Sequence, residues 1–231
     1  MRIILFGDST MQYNDASTYP QTGWGQMLPL FFNKEVEILN FAKNGCSTKS
    51  FIDLGIYDLA INEVKEGDYV VIQFGHNDQK PDKPERYTTV FGSYQENLRK
   101  MAKDVLSKGA TPIFCTSIYR RFFDNGLIRE NVHGDYPKAL MQVAKEVNAL
   151  CIDMTTITKE LYAKMGDNES KRFFMIFDKG IYPHYPNGMY DNTHLRADGA
   201  YTMANIFVEE LKKIHHPLVK YMVDTSFIKE N

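Results

Sequence analysis

Five short apolar runs recur along the chain, most of them closed by a turn signal, with helical periodicity between them. The first is Met1 to Gly7. It is followed by Val36 to Phe41 (VEILNF), Tyr69 to Phe74 (YVVIQF), Pro112 to Ser117 (PIFCTS) and Ala149 to Met154. Between them lie an apolar-rich short helix over Met27 to Phe32, a helix over Ile56 to Val64, and a long one from about Thr88 to Ser107. Leu98, Met101, Ala102, Val105 and Leu106 line one face of the long helix, and Lys108-Gly109 stops it. Pro137 opens another helix, in the position proline favours, and Ile157 to Met165 reads as a further one. Ala200, Met203, Ala204, Phe207, Val208 and Leu211 mark a last helix, while the tail from His215 carries no clear period. Strands that alternate with helices need crossovers, and crossovers make a parallel sheet covered on both faces. The pattern therefore predicts an α/β fold: a three-layer α/β/α sandwich on a five-stranded parallel sheet in flavodoxin-like order.

Two segments break the alternation. Tyr119 to Asp135 is charged and aromatic without a period and is read as a loop. Asp167 to Tyr190 is irregular, with Gly180, Pro183, Pro186 and Gly188 among aromatics; an irregular stretch of that length is usually functional. No internal repeat appears, and 231 residues suit one domain spanning 1–231.

The composition excludes several classes of partner. A net charge of −2, from 27 basic and 29 acidic residues, gives no general pull toward nucleic acid or an anionic membrane. No apolar stretch is long enough to span a bilayer. The first residues lack the apolar run and cleavage site of a secretory leader, so the chain as given reads as cytoplasmic, or as secreted or periplasmic if a leader was removed beforehand. Cys46, Cys115 and Cys151 are odd in number and widely spaced, which suggests neither a disulfide framework nor a metal site.

In a doubly wound sheet, ligands bind beyond the carboxyl ends of the strands near the switch in strand order. That rule singles out Ser9, Gly45 and Asn77, each a few residues past one of the first three strands. Ser9 is either a nucleophile or the cap of a following helix. Gly45 lets a backbone N–H approach a ligand, or simply makes a turn, and Asn77 offers an amide donor or an Asx turn. Six histidines are available as a base. His215 and His216 fit the end of a helix, and His76, His133 and His184 lie past strands or in loops. His194 differs because Asp191 stands three residues upstream, close enough to orient one ring nitrogen while the other faces a serine; the alternative is that Asp191 or Thr193 caps the last helix.

Taken together, Gly7-Asp8-Ser9, Asn44-Gly45, Gly75-His76-Asn77-Asp78 and Asp191-Asn192-Thr193-His194 resemble, in order, the four blocks of the SGNH (GDSL-type) hydrolases. Within that family GDST, GWGQMLP (Gly23 to Pro29), FGHNDQKP (Phe74 to Pro81), DYPKAL (Asp135 to Leu140) and DNTHL with the following Gly199-Ala200 are similar to the rhamnogalacturonan acetylesterases, which remove acetyl groups from pectic sugars. The resemblance implies the SGNH hydrolase fold, Ser9 as nucleophile, His194 as base and Asp191 as its orienting acid. It also implies an oxyanion hole of the Ser9 N–H, the Gly45 N–H and the Asn77 amide, and an acetyl-enzyme mechanism needing no metal or other cofactor. The partner it implies is an acetylated carbohydrate. Many members of the branch are secreted, whereas no leader opens this chain. His76 has no role in this scheme and is read as structural or as a wall of the crevice.

A uronate-containing substrate would favour basic groups near the crevice. Lys80, Arg120 and Arg196 are the candidates, with Lys49 and Arg121 behind them, each of which would otherwise be a solvated surface charge. Trp24 and the tyrosines between Gly180 and Tyr190 could stack on sugar rings, core packing being the other reading of Trp24. Three alternatives remain: an esterase of the same fold acting on other O-acetylated sugars such as xylan, a lysophospholipase or thioesterase, and a non-catalytic carbohydrate-binding protein. The mixed charges and tyrosines of Asp167 to Tyr190 are unlike an apolar lipid lid, and a binding module would have lost some of the site residues. Oligomeric state leaves no sign in the sequence.

Overall fold

The computed structural model describes residues 1–224. In chain order they form β1 (Arg2–Gly7), α1 (Trp24–Met27), β2 (Glu37–Asn40), α2 (Thr48–Asp53), α3 (Ile56–Glu63), β3 (Tyr69–Gln73), α4 (Ser93–Ser107) and β4 (Thr111–Cys115). There follow β5 (Phe123–Asp124), β6 (Leu127–Ile128), α5 (Tyr136–Glu146), β7 (Leu150–Ile152), α6 (Met154–Ser170), β8 (Phe174–Phe177), β9 (Met189–Leu195) and α7 (Ala197–Lys213). Five of these strands make one parallel sheet in the order β2-β1-β3-β4-β7, the flavodoxin-like order expected.

Alternation along the strands divides the core in two. Ile3 and Leu5 of β1, with Val71 and Ile113, pack under Trp24 of α1, Tyr162 of α6 and Phe207 of α7. Ile4 and Phe6, with Val70, Ile72 and Phe114, pack under Phe51, Tyr57, Leu98 and Leu140 of α2 to α5. Both faces are covered, which is why these strands read as continuous apolar runs.

Several boundaries and three segments differ from the sequence reading. The long helix starts at Ser93 rather than Thr88, because the Thr88 hydroxyl is drawn to Asp78 at 3.0 Å and Thr89 and Ser93 cap each other reciprocally, backbone N–H to side-chain oxygen, at 3.0 Å. Tyr119 to Asp135 is not all loop: β5 and β6 form a small hairpin around Asn125-Gly126, whose φ values of 50° and 80° fit a two-residue turn. The irregular stretch from Asp167 contains the end of α6, kinked at Gly166, and the antiparallel pair β8–β9. Ser9 does not begin a helix; the Asp8 carbonyl accepts from the N–H groups of Met11 and Gln12, both at 3.1 Å, in an isolated turn. Past α7, a 3₁₀ turn covers Pro217–Tyr221, and the rest of the tail, 225–231, lies outside the described residues. No helix among the described residues is long and apolar enough to cross a membrane.

Candidate active site

The neighbouring strands β2, β1 and β3 end side by side, and the turns that follow them meet in one crevice of about 340 Å³. Ser9, Gly45 and Asn77 line it from the sheet side; Asp191, Thr193 and His194 close it from β9. A larger and more open depression over Phe177–Lys179 and Asn187–Tyr190 holds no pairing of a hydroxyl with an imidazole.

The β1 turn is held from behind. Asp8 is fully buried, and one carboxylate oxygen accepts from the Thr10 N–H at 2.9 Å and the Thr10 hydroxyl at 2.8 Å. The other meets Nδ1 of the buried His76 at 2.9 Å. Burial works against ionisation of Asp8, but the charge and hydrogen bond of His76 and the two Thr10 donors outweigh it and leave its pKa low. Nε2 of His76 lies 2.9 Å from the Ile118 carbonyl, which can only accept, so that nitrogen carries a proton. His76 is thus structural, as expected, and it also forms part of the crevice wall.

Gly45 takes φ +78° in the turn after β2, a conformation that favours glycine. Neither the Ser9 N–H nor the Gly45 N–H is taken by a backbone acceptor among the described residues. The Asn77 amide is fixed at both ends: Nδ2 donates to the Cys46 carbonyl at 2.9 Å and Oδ1 accepts from Lys80 Nζ at 3.1 Å. One N–H of Nδ2 remains. Gly75 makes this turn possible, since its φ is +145° and a β-carbon would lie 2.6 Å from Ser117 Oγ. The next residue, Asp78, is fully buried and accepts from the Thr48 N–H, the Thr48 hydroxyl and the Thr88 hydroxyl. Its burial dominates those bonds and pushes its pKa up to about 7.

A strand places residues three apart on opposite faces, so Asp191 and His194 could not meet on a regular β9. The β8–β9 ladder resolves this with a register shift: Phe174 pairs with Leu195 but Met175 pairs with Asp191, so residues 192–194 bulge out. Inside the bulge, Asp191 Oδ1 accepts from the N–H groups of Thr193 at 2.7 Å and His194 at 3.1 Å, and Oδ2 meets His194 Nδ1 at 2.6 Å. His194 Nε2 lies 2.9 Å from Ser9 Oγ. Asp191 and Thr193 do not cap α7, whose N-cap is Arg196 with no side-chain cap bond. Burial raises the Asp191 pKa, but the hydrogen bond and charge of His194 and the two N–H donors bring it down to about 2. With Asp191 ionised, Nδ1 keeps its proton and Nε2 presents a lone pair to the Ser9 hydroxyl. Such a relay can take a proton from a hydroxyl as it attacks a carbonyl.

Of the proposed substrate-binding residues, Lys80 and Arg120 line the crevice. Trp24 and Arg196 do not. Trp24 is fully buried, stacks near Phe207 with ring centroids 5.4 Å apart, and donates from Nε1 to Gln73 Oε1 at 2.8 Å; the core reading of it is correct. Arg196 points away and donates to the Arg172 carbonyl at 2.9 Å. Lys49 pairs with Asp53 on the surface at 2.8 Å, and Arg121 is buried beneath β9. Arg86, which the sequence reading passed over, is part of the crevice. Its only signal was a place in the polar loop after the third strand.

The model of the GDSL-like lipase/acylhydrolase family matches residues 3–207. The chain belongs to that family. It is 40% identical over 224 residues to the rhamnogalacturonan acetylesterase RhgT of Bacillus subtilis, covering 96% of this chain and 94% of that one. It is 32% identical to the probable rhamnogalacturonan acetylesterase YesY of the same organism, covering 99% and 98%. Among solved structures, the B. subtilis protein YxiM superposes with a TM-score of 0.78 at 26% identity, over 92% of this chain and 56% of the other.

Proposed function

We propose that this chain is a serine carbohydrate esterase that removes O-acetyl groups from pectic polysaccharide or oligosaccharide, acting as one catalytic domain over 1–231. The observation that carries the reading is the unbroken relay from Ser9 Oγ through His194 to Asp191, with contacts of 2.9 and 2.6 Å. The names of the two Bacillus relatives, similar to this chain over nearly its whole length, support the substrate class.

In the proposed reaction His194 Nε2 takes the Ser9 proton as Oγ attacks the acetyl carbonyl carbon. The oxyanion accepts from the Ser9 N–H, the Gly45 N–H and the remaining Asn77 N–H, donors fixed before the reaction begins. His194 then gives its proton to the departing sugar oxygen. A water, deprotonated by His194, attacks the acetyl-enzyme, and acetate leaves with Ser9 restored.

The test is acetate release from acetylated rhamnogalacturonan oligosaccharides, beside acetylated xylan and p-nitrophenyl acetate, for wild type and Ser9→Ala. Release from the pectic substrate that vanishes in the variant is the expected result. Release from xylan or the small ester alone would keep the chemistry and refute the substrate, and full activity of Ser9→Ala would refute the chemistry.

A further inference from the structure

Three cations, Lys80, Arg86 and Arg120, converge on the Ser9 crevice. Arg120 spends Nη1 on the Thr193 hydroxyl and Nη2 on the His76 carbonyl, both neutral acceptors at 2.9 Å, and its buried Nε has no hydrogen-bond partner among the described residues. Lys80 Nζ donates to the neutral Asn77 amide. The Arg86 guanidinium covers Gly45 closely enough that a β-carbon there would lie 3.3 Å from Nη1. Among the described residues its one ion-pair contact is the neighbouring Glu85, 3.5 Å away on an exposed side chain. The carboxylates beside the crevice are already committed, Asp8 to His76 and Asp191 to His194. Burial first, and then the charges of Arg120 and Arg86, lower the Lys80 pKa. Like charges held together without a counter-ion repel, and an anion in the crevice would relieve them.

We propose that Lys80, Arg86 and Arg120 form a carboxylate receptor that binds a uronate of the substrate beside the scissile acetyl ester, a claim that rests on the esterase reading above. Guanidinium forks suit a planar carboxylate, and Lys80 adds a compact charge. Lys80 also holds Asn77 Oδ1, so the same cation touches both the bound uronate and the amide that faces the oxyanion. The arrangement distinguishes an acetyl ester on an acidic oligosaccharide from the same ester on a neutral one.

Acetate, the product, carries the same chemistry, and the experiment separates the two sources. The full chain carrying Ser9→Ala is titrated calorimetrically with digalacturonate, with its neutral dimethyl ester, and with sodium acetate. The titrations are repeated after adding Arg86→Gln or Arg86→Lys, with the unfolding temperature of each variant as a folding control. Digalacturonate is expected to bind about tenfold or more tighter than its ester, Arg86→Gln to remove about tenfold of that affinity, and Arg86→Lys to restore part of it. Added salt is expected to weaken the acid and spare the ester. Equal affinity for acid and ester, or no loss in Arg86→Gln, overturns the proposal. Acetate binding as tightly as digalacturonate overturns the assignment to substrate. Because binding is read without turnover, failure of the esterase reading would surface in the acetate-release assay instead.

Discussion

Ser9, Gly45 and Asn77 stand past the ends of three neighbouring parallel strands, whereas Asp191 and His194 stand on a bulge in a two-stranded hairpin outside that sheet. The two groups differ in exposure as well: Ser9 and Asn77 are 5% and 4% exposed, while the side chains of His194 and Asp191 are 31% and 29% exposed. The first group inherits its position from the sheet, where each turn begins at a strand buried on both faces. The second has no such frame, and side chains supply one. Arg120 holds Thr193 inside the bulge. Arg121 holds Asn192 twice, through its own N–H at 2.9 Å and through Nη1 at 2.7 Å, and ties that strand to Ser170 and Asp167 of α6. A nucleophile set by a sheet thus faces a base set by buried arginines.

This contrast orders the expected effects of substitution. Ser9→Ala should lower kcat by about 10⁴-fold with the unfolding temperature nearly unchanged, because the sheet and not the hydroxyl holds the turn. Asp191→Asn should lower kcat by about a thousandfold, since an amide no longer selects the productive tautomer of His194. It should also change acid stability with a definite sign. The Asp191 pKa is depressed to about 2 on folding, so its contribution is present above the ordinary carboxylate range and is lost as pH falls through about 2. The variant should lack that acid-side loss in a pH series of denaturant melts.

Arg121→Leu should cost about 2–3 kcal/mol of stability, by leaving the Asn192 and Ser170 partners unmatched, and should lower kcat through a loosened bulge. Equal activity of this variant and wild type would break the comparison, because the hairpin would then hold the base unaided. Asp78, on the sheet side, should show the opposite sign from Asp191. Its pKa is raised to about 7, so its contribution is present below the ordinary carboxylate range and is lost as pH rises through about 7. Asp78→Asn should flatten stability between about pH 4 and pH 7 by more than about 1 kcal/mol. Trp24→Phe should show the smallest effect, about 1 kcal/mol for the lost bond to Gln73 and no selective loss of substrate affinity.

The same division explains what could be read from the residues. Buried parallel strands leave continuous apolar runs and closing turns, so the sheet order and the convergence of Ser9, Gly45 and Asn77 were legible. The hairpin was not. Its β9 strand, MYDNTHL, is interrupted by a bulge that destroys the period of two, and its partner lies across a turn full of glycine and proline. The pairing of Asp191 with His194 was legible from spacing, but its cause was not: a bulge, rather than the approach to a helix, brings them together. Substrate-side residues were the least legible, because a charge in a loop carries no period. Lys80 and Arg120 reach the crevice, Arg196 does not, and Arg86 arrives there only because the chain folds back over Gly45.

The most direct test of the account is to follow the acetyl group itself. The protein is mixed with acetylated rhamnogalacturonan oligosaccharide, quenched in acid within the first turnovers, digested and read by mass spectrometry. The account predicts an acetyl adduct on the peptide carrying Ser9, accumulating further when Asp191→Asn slows turnover and absent from Ser9→Ala. Acetate released at the wild-type rate by Ser9→Ala, or an adduct that maps to any other residue, would contradict it.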